Sequence, residues 1–258
     1  MATRAEAPIW TERKARWYLR ATARGDYADR VLEAIVPLLA SARTALDVGA
    51  GFGALSLPLA VRLDRVTALE PAPAMAALLR EEADRLGIGN VALLEQAWEA
   101  AAVEPHDLVL CAHVGELLQP GSSLLRALPT LARRGAALVV DARPGRDKFF
   151  FRELYPMLLS RPYRERCGRY LDLLRWLDGQ GILANVTQIG YRSDQPFRDL
   201  EEACDFWQEY LGLPGEPVRE FLRGYLAERL IREGEEWIAP LRKEAAVIWW
   251  RTDGGGER

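Results

Sequence analysis

Thr44-Ala-Leu-Asp-Val-Gly-Ala-Gly-Phe-Gly-Ala-Leu-Ser-Leu57, followed by Val66-Thr-Ala-Leu-Glu70-Pro71, decides the fold of this chain. An apolar run ends in Asp47, three glycines follow at alternate positions (Gly49, Gly51, Gly53), and a second apolar run ends in Glu70, 23 residues beyond Asp47. The pattern predicts strand, glycine turn, helix, strand and carboxylate, which is how an open α/β sheet holds a ligand that carries a ribose. Glycine at such a turn lets the backbone approach a ligand where a Cβ would clash. The helix that follows offers free N–H groups to an anion, and Glu70 is placed to accept from both ribose hydroxyls.

Outward from this stretch, strands are predicted at 44–48, 65–70, 91–94, 107–112 and 136–141. Helices are predicted at 73–86, stopped by Gly87 and burying Met75, Leu78, Leu79 and Leu86, and at 122–134. Alternation of this kind predicts a parallel sheet with right-handed crossovers. Upstream, one helix is predicted over 8–22 and a second over 27–40, capped by Asp26. Downstream the pattern changes. Residues 143–180 read as helical, aromatic and basic. A strand over 182–191 carries an apolar face (Ile182, Ala184, Val186, Gln188, Gly190) and a mixed one (Leu183, Asn185, Thr187, Ile189, Tyr191), so one side meets solvent. Asp199 with Glu202 reads as a capping box for a helix over 200–211, and a further helix is predicted over 217–233. The last strand, 245–250, is apolar at every position and belongs inside a sheet. The tail from Thr252 is glycine-rich and is expected to fray.

With 258 residues, 49% of them hydrophobic and 28% charged, the chain has the composition of a globular protein with one sizeable core. Its net charge of −3 gives no general reason to expect nucleic acid or an anionic membrane. Arginine outnumbers lysine 31 to 3, which reads as coding bias first, although guanidinium also suits planar anions. The scattered Cys111, Cys167 and Cys204 argue against disulfides and, with only His106 and His113 to join them, against a metal site. No signal-like or membrane-spanning run is present, so the expectation is a cytoplasmic protein. No segment argues for a particular oligomeric state.

Taken alone, Gly49-x-Gly51-x-x-Ala54 also fits a nicotinamide dinucleotide fingerprint. Asp47 beside a pyrophosphate, two helices ahead of the first strand and an apolar terminal strand weigh against it. With the acidic loop Ala68-Leu-Glu70-Pro71, the third-strand segment Val91-Ala-Leu-Leu-Glu-Gln-Ala-Trp98 and the fourth-strand segment His106-Asp-Leu-Val-Leu-Cys-Ala-His113, the chain resembles the class I S-adenosylmethionine-dependent methyltransferases. The resemblance is close over 27–142 and rests on strand pattern beyond. It implies a three-layer, Rossmann-like α/β fold whose seven strands run in the order 3-2-1-4-5-7-6 with strand 7 antiparallel. It also implies one domain over 1–258, with an N-terminal helical cap (1–40) and a helical substrate lid (143–180). The implied cofactor is S-adenosyl-L-methionine, released as S-adenosyl-L-homocysteine (SAH), with Asp47, Gly49, Ala50, Gly51, Gly53, Glu70, Pro71, Ala97, Trp98 and Cys111 around it. Ala97 departs from the family, whose members often carry an acid there for the adenine amino group. Trp98 stacking, Glu99 as substitute, and backbone groups alone are the open alternatives.

Methyl transfer is an in-line displacement in which proximity and orientation do much of the catalysis. A base is needed only where the acceptor must lose a proton. His113, at the carboxyl edge of the sheet, is the best candidate base; the alternatives are a structural histidine and one that lines the cofactor pocket without moving a proton. Tyr18, Asp141, Arg143, Tyr155, Arg161 and Arg164 are the candidates for binding substrate. Over 143–175 nine basic residues face four acids, a local charge of +5, interleaved with six aromatics. That composition fits either a grip on an acidic, partly apolar small molecule or a solvated face over buried rings. The expected function is methylation of a small acidic or aromatic metabolite. RNA methylation is permitted by the basic insert but disfavoured by the net charge and the lack of an appended RNA-binding module. A non-catalytic, cofactor-binding scaffold or regulatory subunit is allowed by Ala97 and opposed by the intact glycine loop with Glu70.

Overall fold

In a computed structural model of the chain, residues 10–143, 148–164 and 170–252 are described. Arg146, Asp147, Glu165, Arg166, Cys167 and Arg169 of the basic insert lie outside the described residues, as do the start of the helix expected from residue 8 and the tail beyond 252.

Thr11 caps α1 (Glu12–Ala23), its hydroxyl accepting from Lys14 N at 3.2 Å. The single helix expected over 27–40 is broken into α2 (Tyr27–Ala34) and α3 (Val36–Leu39) at Ile35. Pro37 has no N–H to continue the ladder, and its ring crowds the carbonyl one turn back. Asp26 does not cap α2 through its side chain. It instead pairs with Arg30 at 3.0 Å and accepts from Arg192 N at 3.2 Å.

The centre follows the predicted alternation: β1 (Thr44–Val48), α4 (Ser56–Ala60), β2 (Arg65–Leu69), α5 (Pro73–Leu86), β3 (Val91–Leu94), β4 (His106–Ala112), α6 (Ser123–Leu131) and β5 (Ala132–Asp141). Gly87, at φ +67, ends α5. Leu86, expected in the core, is half exposed instead, since it falls on the outer side of the last turn. The insert then holds α7 (Phe151–Leu159) and α8 (Tyr170–Gly179), followed by β6 (Asn185–Arg192), β7 (Gln195–Phe197) and α9 (Leu200–Leu211). Asp199 caps α9 by accepting from Glu202 N at 2.7 Å. The helix expected over 217–233 stops early, as α10 (Glu216–Ala227). The chain next forms β8 (Ile231–Glu233) and β9 (Glu236–Ala239), which pair with β7 in a small antiparallel sheet, and ends in β10 (Arg242–Arg251).

The main sheet has the order β3-β2-β1-β4-β5-β10-β6, with β10 antiparallel to both neighbours. This is the expected order, β10 being the seventh strand. One face carries Ala45, Leu110, Val139 and Val247 against α2, α3 and α4; the other carries Leu46, Val109, Leu138 and Ile248 against α6 and α8. In β6 the faces are the reverse of what apolarity suggests. Ile189 and Tyr191 of the mixed face are buried, while Val186, Gln188 and Gly190 point outward. Packing of α2 against this strand buries the mixed face, and a sheet's last strand needs cover on one side only. A separate aromatic core of Trp17, Phe151, Phe197, Phe206 and Trp207 joins α1, α7, α9 and the small sheet.

Candidate active site

The site begins where β1 gives out. Gly49, Gly51 and Gly53 all have positive φ (+74, +59 and +89), which L side chains rarely adopt. A Cβ on Gly49 would lie 2.2 Å from a Val114 methyl carbon, whereas one on Gly51 would meet nothing within 4 Å. The loop is therefore packed on one side and open on the other, as a backbone cradle for a ligand must be. Gly49→Ala is expected to destabilise the protein by about 2 kcal/mol, combining a left-handed backbone with a clash. Chemical denaturation measures it, and an unchanged midpoint would show that the loop relaxes freely.

Two buried carboxylates hold the cradle. Glu70, at the end of β2, accepts from Gly51 N through Oε2 and from Ala72 N through Oε1, each at 2.8 Å. Burial raises its carboxyl above the usual range, and the two backbone donors partly offset that. Asp47 accepts from the Ser56 hydroxyl at 2.6 Å. Burial, with the nearby Glu70 charge, lifts its carboxyl to about 6 although Ser56 pulls it down. The folded state thus holds a proton that the unfolded chain would release. The stability this confers is full below about pH 4 and is lost as pH rises through about 6. Asp47→Asn keeps the shape and lacks the charge. It is expected to raise stability at pH 7 by up to about 3 kcal/mol, the gain fading towards pH 4. Urea melts at both pH values read it, and equal gains at both would contradict the account.

From the glycine loop a cavity of about 620 Å³ runs along the carboxyl edge of the sheet. Asp47, Gly49, Ala50 and Phe52 line one end, and Tyr18, Tyr27, His113, Asp141, Lys148, Tyr191 and Lys243 line the other. His113 directly follows β4 at φ +58, with its N–H on Val139 O at 2.9 Å. Its Nδ1 stands 3.4 Å from Asp141 Oδ1, and Lys148 Nζ is 2.9 Å from the other oxygen, Oδ2. Burial would raise the Asp141 carboxyl, but His113 and Lys148 outweigh it and hold the group well below the usual carboxylate range.

The sequence-based candidates divide. Asp47, Gly49, Ala50, Tyr18, His113 and Asp141 come together around this one cavity, whereas Gly51, Gly53, Glu70, Pro71, Ala97, Trp98 and Cys111 do not line it. Gly51 and Glu70 are bonded to one another beside it. Gly53 packs on Leu57 and Leu79 within the loop, and Pro71 is exposed. Ala97 is exposed, and Trp98, in a short 3-10 turn, donates to Ser123 Oγ at 3.0 Å. Cys111 is wholly inside the core, because its side chain falls on the helix-covered face of β4. Four of the candidates for binding substrate lie elsewhere. Arg143 pairs with Glu244 at 2.9 Å, Arg161 sits 5.6 Å from the Tyr155 ring centre beside the aromatic core, and Arg164 is exposed. The insert reaches the cavity through Lys148, Tyr170, Asp172 and Leu173 instead. Sequence reasoning missed Tyr27, Tyr191 and Lys243, which stand far apart in the chain and meet only through strand order. Among the described residues no cluster could hold a metal ion, and no helix is long and apolar enough to cross a membrane.

The fold has known counterparts. Residues 45–135 match the family described as "Methyltransferase domain". Magnesium protoporphyrin IX methyltransferase from Synechocystis, crystallised with bound SAH, superimposes with a TM-score of 0.52 at 15% identity, over 92% of this chain and 92% of that one. The YcgJ protein of Bacillus subtilis superimposes with a TM-score of 0.52 at 14% identity, over 86% of this chain and 98% of that one. No curated protein matches by sequence. The glycine cradle, the acid that ends β2 and the strand order agree with the family match: residues 45–135 match a methyltransferase domain, set in a fold shared with solved methyltransferases.

Proposed function

We propose that the chain methylates a small acidic or aromatic molecule in the cytoplasm, as one domain capped by its N-terminal helices and lidded by residues 143–180. The observation that carries this reading is the continuous cavity from the glycine cradle to the His113–Asp141 pair. The bound cofactor supplies a methyl group on a sulfonium, whose leaving-group quality makes an acid unnecessary. Glu70 receives the ribose hydroxyls, Asp47 and the N–H groups of the glycine loop receive the amino-acid end, and Trp98 or neighbouring backbone receives the base. Tyr18 and Trp10 of the cap close the top and exclude water. At the acceptor end, Asp141 orients the His113 imidazole through Nδ1, which leaves Nε2 to take a proton from an acceptor hydroxyl or amine.

The test is calorimetric titration of the purified protein with SAH, with NADH as control. Micromolar SAH binding and no NADH binding support the reading and justify a screen of acidic aromatic acceptors. NADH binding in place of SAH overturns it.

A further inference from the structure

Of the chain's three lysines, Lys148 and Lys243 line the cavity. Elsewhere, Lys14 apart, positive side-chain charge is supplied by guanidinium, in pairs such as Arg13–Glu209 at 2.8 Å and Arg20–Glu202 at 2.6 Å. A chain so sparing of lysine places two compact ammonium groups at one site, which calls for an explanation beyond composition. Lys148 is bound to Asp141. Lys243 makes no hydrogen bond or ion pair with any described residue; its Nζ stands 6.0 Å from the ring centre of Tyr18.

Strand register fixes where this ammonium sits. Ala245 of β10 is level with Asp141 at the end of β5, and Lys243 is level with Tyr191 of β6. Lys243 therefore projects beyond the carboxyl edge of the parallel strands. Two strands, β4 and β5, separate β10 from β1, so Lys243 belongs to a strand about 14 Å from the one that feeds the glycine loop. That is the acceptor's end of the cavity, not the end that the cradle and Glu70 serve. Burial and the neighbouring Lys148 depress the ammonium to about 8 while Asp141 pulls the other way. Asp141 is already shared between Lys148 and His113. An ammonium held in a partly closed wall with no counter-ion of its own among the described residues is costly until an anion joins it. Beside it Tyr27 and Tyr191, their ring centres 4.8 Å apart, form an aromatic wall. The Tyr27 hydroxyl is buried without a hydrogen-bond partner.

We propose that Lys243 determines acceptor specificity, its ammonium receiving the carboxylate of an aromatic acid whose ring lies on the Tyr18, Tyr27 and Tyr191 wall. Calling that anion an acceptor rests on the methyl-transfer reading; its binding does not.

The test uses 4-hydroxybenzoate and its neutral isostere 4-hydroxybenzamide, titrated into the SAH-saturated protein, into Lys243→Gln and into Lys14→Gln, a lysine outside the cavity. The expected result is at least about a tenfold preference for the acid in the wild type and in Lys14→Gln, lost in Lys243→Gln. SAH affinity, measured in the same variants, should stay within about twofold, which shows that Lys243→Gln is folded and that Lys243 does not hold the cofactor's own carboxylate. Equal binding of acid and amide by the wild type, no binding of either, a preference that survives in Lys243→Gln, or SAH affinity that falls with it overturns the proposal. A benzoate preference in protein that does not bind SAH would sustain the anion site and overturn the methyl-transfer reading.

Discussion

Glu70→Ala is expected to weaken SAH binding about a thousandfold while leaving the sheet folded. Each oxygen of Glu70 already accepts one backbone N–H, from Gly51 or from Ala72, and each has a second lone pair for a ribose hydroxyl. A hydrogen bond to an ionised acceptor contributes roughly 1.5–3 kcal/mol. Losing two of them costs on the order of 4 kcal/mol, which is about a thousandfold in affinity. The same substitution frees the loop from its clamp, so part of the loss comes from a cradle that must be ordered again on binding. Glu70→Gln separates the contributions poorly, because its amide must face one of the two N–H donors. Titration of Glu70→Ala with SAH, alongside a circular dichroism spectrum to confirm folding, makes the measurement. Affinity within tenfold of wild type would remove Glu70 from the ribose site.

His113→Asn is expected to lower turnover of a hydroxyl acceptor by about 10²–10⁴-fold with SAH affinity unchanged. Asparagine is the informative replacement because residue 113 has φ +58, where asparagine is tolerated and alanine is not. Alanine would mix a lost imidazole with a strained backbone. Asp141 stays ionised across the working range, since His113 and Lys148 hold its carboxyl low in spite of burial. A variant that retains turnover within a few fold would leave His113 as a wall of the pocket only.

The glycine cradle, Glu70 and the buried position of β10 were legible because each rests on local spacing, and the order of the main sheet because the family resemblance implies it. Asp47 and Glu70 end apolar runs, and Ala245–Trp250 has no polar face to turn outward. What failed to show rests on long-range packing. Nothing local says that Ile189 and Tyr191, rather than Val186, face inward, because α2 decides it. Residues 231–233 read as the end of a helix, yet Gly234 at φ +63 turns them and the residues that follow into a hairpin that β7 completes. Arg161 and Arg164 looked like anion ligands by composition, but the fold carries them away from the cavity. Lys243 flanks the apolar run of the last strand and carries no local signal, and only the antiparallel register of β10 against β5 and β6 brings it to the cavity beside Asp141.

That register also sets an order of construction. β6 bonds to the main sheet through β10 alone, and β10 is the last of the described strands to leave the ribosome. Until then β5 presents a bare edge, the kind of surface on which nascent chains join the wrong partner. The cradle can assemble early, from residues 44–72, whereas the opposite wall of the cavity arrives with the strand that closes the sheet. A chain cut short before Arg242 therefore loses Lys243 and its protected edge together, and synthesis delivers a complete pocket only to molecules whose sheet is already sealed.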